Sequence, residues 1–203
     1  MFLAIRKLAS LPFPLLLAAT GLAQSPAPPT QTAPATAAPS SAPSSPPQIE
    51  NYDSFIVIGL TVRTNNAKEA TGQGAISPMW QGAIQNGTLE QIPNKVGDGY
   101  VVVYSDYASD HTGDYSYTLG YRVSSADKIP DGMVARTVRA GKYAAITSET
   151  GPPQEVIPAL WHRINTMTPQ QLGGDRAYAT DFETYGTIAD WGNMSMTVHI
   201  GLK

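Results

Sequence analysis

The segment at residues 177–185 carries the residue types and spacing best suited to binding a ligand. It reads Ala-Tyr-Ala-Thr-Asp-Phe-Glu-Thr-Tyr, and its alternation of aromatic or small residues with polar ones is typical of a β-strand. Because side chains alternate between the faces of a strand, Glu183 and Tyr185 lie on one face, while Tyr178 and Phe182 lie on the other and are predicted to pack under a helix. A carboxylate beside aromatic rings can hold a cationic or polar aromatic ligand. The alternative is that Glu183 is an ordinary charge on a solvent-exposed sheet face.

Other residue groups that could carry chemistry lack the spacing that such chemistry requires. Asp106, Asp110 and Asp114 lie four residues apart, whereas a calcium loop uses alternate residues and a closing glutamate, so we interpret this segment as a solvated hairpin. The three histidines show no metal-ligand spacing, and the lack of cysteine excludes disulfides and thiolate metal sites. No Gly-x-Ser-x-Gly nucleophile motif occurs. The sequence therefore predicts neither a metal site nor a cofactor.

The N-terminal quarter of the chain has the composition of an export signal and a linker. Arg6 and Lys7 precede an apolar run that ends in Gly21-Leu22-Ala23 and is too short to span a membrane. We interpret residues 1–23 as a signal peptide, residues 24–48 as a disordered linker rich in Pro, Ala, Ser and Thr, and residues 49–203 as the folded domain. The protein is therefore expected to be exported, to a periplasm or out of the cell, with no membrane span after cleavage.

The charge balance argues against nucleic acid as a partner. The formal net charge is −3, and removal of Arg6 and Lys7 leaves 11 basic residues against 16 acidic ones, a net charge near −5. Binding to nucleic acid requires a basic patch. A small molecule is the favoured partner, and the sequence leaves the oligomeric state open.

The remaining pattern predicts two helices among antiparallel strands. Trp80 and Trp161 lie on the apolar stripes of helices predicted at residues 75–85 and 151–167. Strands are predicted at residues 55–62, 100–107, 115–123, 133–138, 142–148, 177–185 and 194–200. Because each half of the chain contributes one helix, we predict an α+β fold made of a tandem βαββ-type repeat. Its antiparallel sheet carries both helices on one face and a ligand cleft on the other.

Many segments in this order resemble the GyrI-like small-molecule-binding domain, which is also the effector-binding domain of bacterial multidrug-sensing transcription activators. The resemblance extends over residues 52–203 and is greatest to the integron-associated effector-binding proteins. The segments that carry it are Phe55-Ile56-Val57-Ile58-Gly59-Leu60, Ile76-Ser77-Pro78-Met79-Trp80, Ile92-Pro93-Asn94-Lys95, Tyr104-Ser105-Asp106-Tyr107, Tyr115-Ser116-Tyr117, Pro130-Asp131-Gly132-Met133, Ala140-Gly141-Lys142-Tyr143 and Asp181-Phe182-Glu183-Thr184-Tyr185.

The resemblance implies a ligand cleft between the two halves of the domain. In that family an acidic residue of the Asp-Phe-Glu-x-Tyr strand lies in the pocket, and it corresponds here to Glu183. Aromatic side chains from the helix and neighbouring strands wall the pocket, which makes Trp80, Tyr104, Tyr117 and Tyr185 the candidates. Such a pocket suits an amphipathic, cationic ligand, because each aromatic face adds about 0.5–2 kcal/mol of stacking and cation–π energy.

The chain departs from the transcription activators of this group, because its N-terminal residues predict a signal peptide and linker in place of a helix-turn-helix region. The preferred hypothesis is an exported protein that binds small amphipathic molecules. A second is a hydrolase of reactive small molecules, since some members of the group resemble hydrolases; Glu183 would be the general base and a tyrosine such as Tyr104 or Tyr117 the proton donor. A third is an envelope protein-interaction module that docks through its sheet face.

Overall fold

The computed structural model describes residues 45–203, and the predicted signal peptide and most of the predicted linker lie outside these residues. The chain forms one antiparallel sheet whose strands follow the order β1-β6-β8-β7-β3-β4-β2-β5. The strands are β1 (Gln48–Tyr52), β2 (Phe55–Thr64), β3 (Val101–Ser105), β4 (Tyr115–Val123), β5 (Val134–Val138), β6 (Gly141–Thr147), β7 (Thr180–Thr184) and β8 (Thr197–Gly201). The predicted α+β class and the antiparallel sheet are therefore confirmed. Strand β1 was not predicted. It begins at Gln48, the last residue assigned to the linker.

Within the described residues four α-helices connect the strands, and two of them are long enough to cover the sheet. They are α1 (Asn66–Ala70), α2 (Ile76–Gln85), α3 (Pro153–Thr166) and α4 (Pro169–Leu172), and a short 3-10 helix at Thr88–Gln91 follows α2. The carboxylate of Glu69 accepts hydrogen bonds from the backbone N–H groups of Ala75 and Ile76 at 3.0 and 3.2 Å, which satisfies the first turn of α2. None of the helices within residues 45–203 combines the length and the apolar character needed to cross a membrane.

The sheet curls strongly, so that β5, at one edge, comes close to β7 near the middle. Gly59 and Gly120 face each other across β2 and β4. A Cβ atom on Gly120 would lie 1.8 Å from the carbonyl oxygen of Ile58, and one on Gly59 would lie 2.1 Å from that of Leu119. Only glycine permits this close approach of two backbones.

The two faces of the sheet carry separate hydrophobic clusters. The face that α2 and α3 cover includes Tyr104, Tyr117, Leu119 and Tyr185. The opposite face carries Phe55, Val57, Val101, Val103, Val138, Tyr143 and Phe182, with Tyr52 packed against them. The prediction that Phe182 packs under a helix is therefore wrong. Its neighbours are aromatic side chains from other strands, because β1 and β2 bring Tyr52 and Phe55 to within 5.1 and 5.3 Å of its ring centroid.

A buried histidine completes this second cluster. The ring of His199 stacks on Phe182 with centroids 4.2 Å apart and an interplanar angle of 7°. Its nitrogens lie 3.1 Å from the hydroxyl of Thr184 and 3.2 Å from that of Tyr52. Burial lowers the pKa of His199 to about 4, although the carboxylate of Glu50 partly opposes this.

Candidate functional site

The predicted site strand is shorter than its sequence pattern indicates. Strand β7 spans Thr180–Thr184, because Tyr178 adopts a left-handed backbone with φ of 50° and cannot continue the ladder. Within the strand the predicted alternation holds: Glu183 pairs with Val102 of β3 on the helix-covered face, and Phe182 points to the opposite face.

A cavity of about 630 Å³ lies beside Glu183 on the helix-covered face. Trp80 of α2 and Trp161 of α3 line it together with Tyr104, Tyr117 and Glu183 of the sheet. The prediction that the cleft lies on the face away from the helices is therefore wrong. The physical reason is that Phe182 and its aromatic neighbours fill the opposite face, whereas space remains between α2 and α3 over the sheet.

Glu183 is buried, with 1% of its surface exposed, and both of its carboxylate oxygens accept hydrogen bonds. One oxygen accepts from the hydroxyl of Tyr104 at 2.8 Å and from the indole Nε1 of Trp161 at 2.7 Å. The other oxygen accepts from the hydroxyl of Tyr185 at 2.7 Å. The carboxylate is thus held in one orientation by three neutral donors from β3, α3 and the end of β7.

Burial raises the pKa of Glu183, and the three hydrogen bonds from Tyr185, Trp161 and Tyr104 offset only part of this rise. Desolvation disfavours the charged form of any acid, while donors directed at it favour that form. Burial together with the charge of Glu183 also raises the pKa values of Tyr104 and Tyr185, so both hydroxyls stay protonated and remain donors. The site is therefore a carboxylate that lacks the solvation it would have in water.

The aromatic side chains around Glu183 are held against each other. Tyr104 packs on Trp161 and Tyr117 with centroid distances of 4.9 and 5.2 Å. Trp80 packs on Tyr185 at 5.1 Å and donates its Nε1–H to the hydroxyl of Tyr117 at 2.7 Å. The structure thus brings together all five residues proposed from the sequence, and their role as ligand contacts stays a prediction.

A second buried carboxylate lies two residues before Glu183 on β7, and it is not among the residues that line the cavity. Asp181 is fully buried, and one of its oxygens accepts from a terminal nitrogen of Arg176 at 2.7 Å and from the hydroxyl of Tyr107 at 2.6 Å. The other oxygen accepts from the backbone N–H of Gly201 at 2.9 Å. Arg176 also donates to Asn165 at 3.0 Å. Burial alone would lower the pKa of Arg176, but the carboxylate of Asp181 beside it raises that pKa above its ordinary value, so Arg176 stays charged.

Sequence reasoning missed several residues that line the cavity, among them Trp161, Arg176 and Trp191. Trp161 corresponds to Trp80 in the second half of the chain, and this correspondence could have identified it as a site residue. Arg176 and Trp191 lie outside regular elements, where no periodicity indicates the direction of a side chain. Trp191 is 40% exposed, and its ring lies 5.9 Å from Trp80 and 6.2 Å from Tyr100. It therefore borders the cavity where the cavity meets solvent.

No group of three or more His, Cys, Asp or Glu side chains within residues 45–203 is arranged to hold a metal ion. The carboxylates of Asp110 and Asp114 are instead held by hydrogen bonds from protein groups. The carboxylate of Asp110 accepts from the backbone N–H of Thr112 at 2.8 Å, and that of Asp114 accepts from Asn65 at 2.6 Å. These contacts are those of a connecting loop.

Known proteins resemble this chain over the same residues. Residues 48–200 match the family described as integron-associated effector binding protein. YobU of Bacillus subtilis, whose name describes it as a candidate transcriptional regulator, is 28% identical over 128 residues, which are 63% of this chain and 78% of YobU. The structure of the integron cassette protein VCH_CASS2 of Vibrio cholerae has a TM-score of 0.61 and 25% identity, with 78% of this chain and 96% of that chain covered.

A further structure, that of SAV2435 bound to tetraphenylphosphonium, has a TM-score of 0.63 and 17% identity, with 77% of this chain and 93% of that chain covered. At this identity the likeness shows the fold alone. The curled antiparallel sheet with its covering helices is thus a shared architecture, and the chemistry of the site has to be argued from the side chains of this chain.

Proposed function

The chain belongs to the family of integron-associated effector-binding proteins, and from this premise we propose that its cavity binds amphipathic cations with Glu183 as the counter-charge. The observation that carries the proposal is that Glu183 is buried and, within residues 45–203, no Lys, Arg or His nitrogen lies within 4.0 Å of its carboxylate. A buried carboxylate without a cationic partner costs free energy. A bound cation would supply that partner.

The walls of the cavity favour a cation that also carries apolar groups. Aromatic rings surround the carboxylate on the sheet and helix sides, where Tyr104, Trp161 and Trp80 present their rings. Rings of this kind attract cations through their faces and bury apolar surface at the same time. The volume of about 630 Å³ falls in the range of roughly 300–1,000 Å³ found for sites of drug-sized ligands.

Calorimetric titration with two probes of the same shape and opposite charge tests the proposal. Tetraphenylphosphonium is the cationic probe, and tetraphenylborate is the anionic one. We expect the full chain to bind the cation and to bind the anion at least about tenfold more weakly, a difference of 1.4 kcal/mol or more. The Glu183→Gln variant should bind the cation at least about tenfold more weakly than the native chain, because it keeps the shape of the side chain and loses the charge.

A matched control removes a carboxylate that is exposed. Glu155 lies in the first turn of α3 and is exposed, so Glu155→Gln changes the net charge by the same amount outside the cavity. Affinity for the cation should not change in this variant. Equal losses in Glu155→Gln and Glu183→Gln, or equal binding of the two probes, would contradict a site centred on Glu183.

Hydrolysis of a reactive electrophile is the second candidate function, and the state of Glu183 is the observation that favours it. A carboxylate whose pKa is raised by burial is a better general base, and the Tyr104 and Tyr185 hydroxyls beside it can donate a proton. The test is to incubate the full chain with an aryl epoxide in water enriched in oxygen-18 and to follow diol formation. Turnover that Glu183→Gln abolishes would establish this function, and absence of turnover leaves binding alone.

We also propose that the domain acts after export. The proposal rests on the charge and hydropathy pattern of residues 1–23. Expression of the full chain followed by cell fractionation and mass measurement tests it: we expect protein that begins near Gln24 outside the cytoplasm. Full-length protein confined to the cytoplasm would contradict the proposal.

A further inference from the structure

A second cavity of about 450 Å³ lies between edge strand β5 and the neighbouring ends of β3 and β7. It is distinct in character from the aromatic cavity, which it adjoins at Tyr107. Its lining is polar and includes two arginines, Arg136 and the exposed Arg139. The residues that line it are Ser105, Asp106, Tyr107, Ala135, Arg136, Thr137, Arg139, Tyr178, Ala179 and Thr180.

Arg136 lies on an edge strand with 32% of its side chain exposed, and it is on the face of the sheet that carries the Phe182 cluster. It pairs with Val57 of β2, and paired residues share a face of a sheet. Val57 has no exposed surface and belongs to the Phe182 cluster. The Arg136 Nε atom is buried and has no hydrogen-bond partner among the described residues. Buried N–H groups almost always have an acceptor. The lack of one at Arg136 Nε is therefore an exception that a bound ligand would explain.

The nearest charge to Arg136 only partly compensates it. A terminal nitrogen of Arg136 lies 3.5 Å from a carboxylate oxygen of Asp106, and the Asp106 side chain is 56% exposed. Arg139 contributes a second positive charge to the same cavity. Two guanidinium groups against one carboxylate leave an excess of one positive charge, and the exposed position of Asp106 allows its side chain to move away.

The backbone on the rim of this cavity is held in an uncommon conformation. Asp106 and Tyr178 are non-glycine residues with φ of 52° and 50°. Tyr178, for which this region is costly, is held by the Arg176 guanidinium 4.6 Å above its ring. Left-handed backbone at bulky residues persists where surrounding contacts fix it and is concentrated at ligand sites.

We propose that this cavity binds a small oxyanion, phosphate or carboxylate, on Arg136 and Arg139. An oxyanion beside Arg136 would accept from Nε and from a terminal nitrogen together, the two-point contact that guanidinium groups make with carboxylates and phosphates. It would supply the acceptor that Nε lacks. This site is independent of the cation proposed for the aromatic cavity.

Titration of the isotopically labelled full chain by NMR, with phosphate and separately with acetate at constant ionic strength, tests the proposal. We expect saturable shifts in the amide signals of residues 135–139 and 178–180. The anion that binds more tightly shows whether the site prefers phosphates or carboxylates. Arg136→Gln should weaken the binding at least about tenfold, the effect of losing a hydrogen bond to a charged group. Asp106→Asn should strengthen it severalfold, because it removes the competing carboxylate.

Arg122 provides a matched control. It pairs with Val57 from the other side, on β4, and its guanidinium lies 4.8 Å from the Phe55 ring centroid in an exposed position. Arg122→Gln therefore removes the same charge from the same face and should leave anion binding unchanged. Shifts that do not saturate, or equal weakening by Arg122→Gln and Arg136→Gln, would overturn the proposal and leave Arg136 as a charge that protects an edge strand, with water on its Nε.

Discussion

Asp181 and Glu183 are two buried carboxylates on one face of one strand, and their surroundings differ in one respect. Asp181 is paired with the guanidinium of Arg176, accepts from Tyr107 and Gly201, and has no exposed surface. Glu183 is equally buried and accepts three hydrogen bonds, yet all three donors are neutral. The charge of Asp181 is thus compensated within the fold, whereas the charge of Glu183 is hydrogen-bonded without being neutralised.

We propose that this difference separates a structural charge, that of Asp181, from a ligand-binding one, that of Glu183. A compensated ion pair holds elements in place, since Arg176 also donates to Asn165 of α3 and so ties that helix to the strand that carries Asp181. An uncompensated carboxylate at the wall of a cavity contributes little to the fold. Burial of this unpaired carboxylate costs free energy, and a bound cation would offset that cost. Spacing along the strand does not distinguish the two residues, and only their partners do.

The largest effect should come from breaking the compensated pair. Arg176→Gln leaves the carboxylate of Asp181 buried with no cation, and loss of one member of a buried pair costs about 3–5 kcal/mol. Urea unfolding followed by circular dichroism measures this loss in the free energy of unfolding. A loss below about 1 kcal/mol would show that Asp181 is compensated by its hydrogen bonds alone, and the contrast with Glu183 would disappear.

The next largest effect is the loss of stability when His199 takes up a proton. It limits the pH range in which variants of the two carboxylates can be compared. His199 has its pKa lowered to about 4 by burial, whereas the unfolded chain titrates this group near 6.5. Stability from His199 is therefore full above pH 6.5 and is lost as the pH falls from 6.5 towards 4, by about 3 kcal/mol in all. Unfolding measured at pH 7 and pH 4.5 should show this loss, and His199→Gln should reduce it.

The pH dependence of cation binding should distinguish Glu183 from Asp181 more finely. Because burial raises the pKa of Glu183, the carboxylate takes up a proton at a higher pH than an exposed glutamate. Affinity for tetraphenylphosphonium should fall about tenfold for each pH unit below that pKa. Calorimetry across this range measures the slope. A slope that persists in Glu183→Gln would assign the proton to another group.

The same raised pKa has the opposite consequence for the empty protein. The folded state binds the Glu183 proton more tightly than the unfolded state, so stability from this group is present below the ordinary glutamate pKa and is lost as the pH rises through the raised value. Glu183→Gln should therefore change the free energy of unfolding at pH 7 by no more than about 1 kcal/mol. A loss as large as that of Arg176→Gln would show that Glu183 is structural.

The smallest effect should come from the mouth of the cavity. Trp191 is partly exposed and touches the wall through Trp80, so Trp191→Ala should leave the charge of the site intact. We expect cation affinity to fall about threefold, since an exposed cation–π contact is worth about 0.5–1 kcal/mol. Stopped-flow measurement should place the change mainly in the dissociation rate. A loss of cation affinity as large as that in Glu183→Gln would show that Trp191 contributes as much to binding as the carboxylate does.

The fold was predictable from sequence wherever one face of an element is apolar and the other is not. Strand β4 was predicted with its observed bounds, because Tyr115, Tyr117, Leu119, Tyr121 and Val123 alternate in the sequence. The face that carries the cavity was predicted wrongly. Phe182 looks the same in sequence whether a helix or other strands cover it, and the curl that brings Tyr52 and Phe55 over it is a long-range effect.

The candidate site was predictable as a set of residue types and not as a set of contacts. Glu183 and its four aromatic neighbours follow from the strand pattern and the family resemblance. The hydrogen bond from Trp161 and the ion pair of Arg176 depend on the positions of α3 and of the segment before β7 relative to the sheet. Residue spacing in the sequence does not determine these positions. Arg136 shows the same limit, because the face on which it lies follows only from the register of β5 on β2.

The composition of the cavity wall also gives the protein an optical property. The chain contains three tryptophans, and all of them, Trp80, Trp161 and Trp191, line the cavity. Two are held by indole N–H bonds and one is open to solvent. The tryptophan fluorescence of the protein therefore arises entirely from residues of the site. Binding of any ligand that quenches or desolvates the indoles can be followed through this fluorescence without a label.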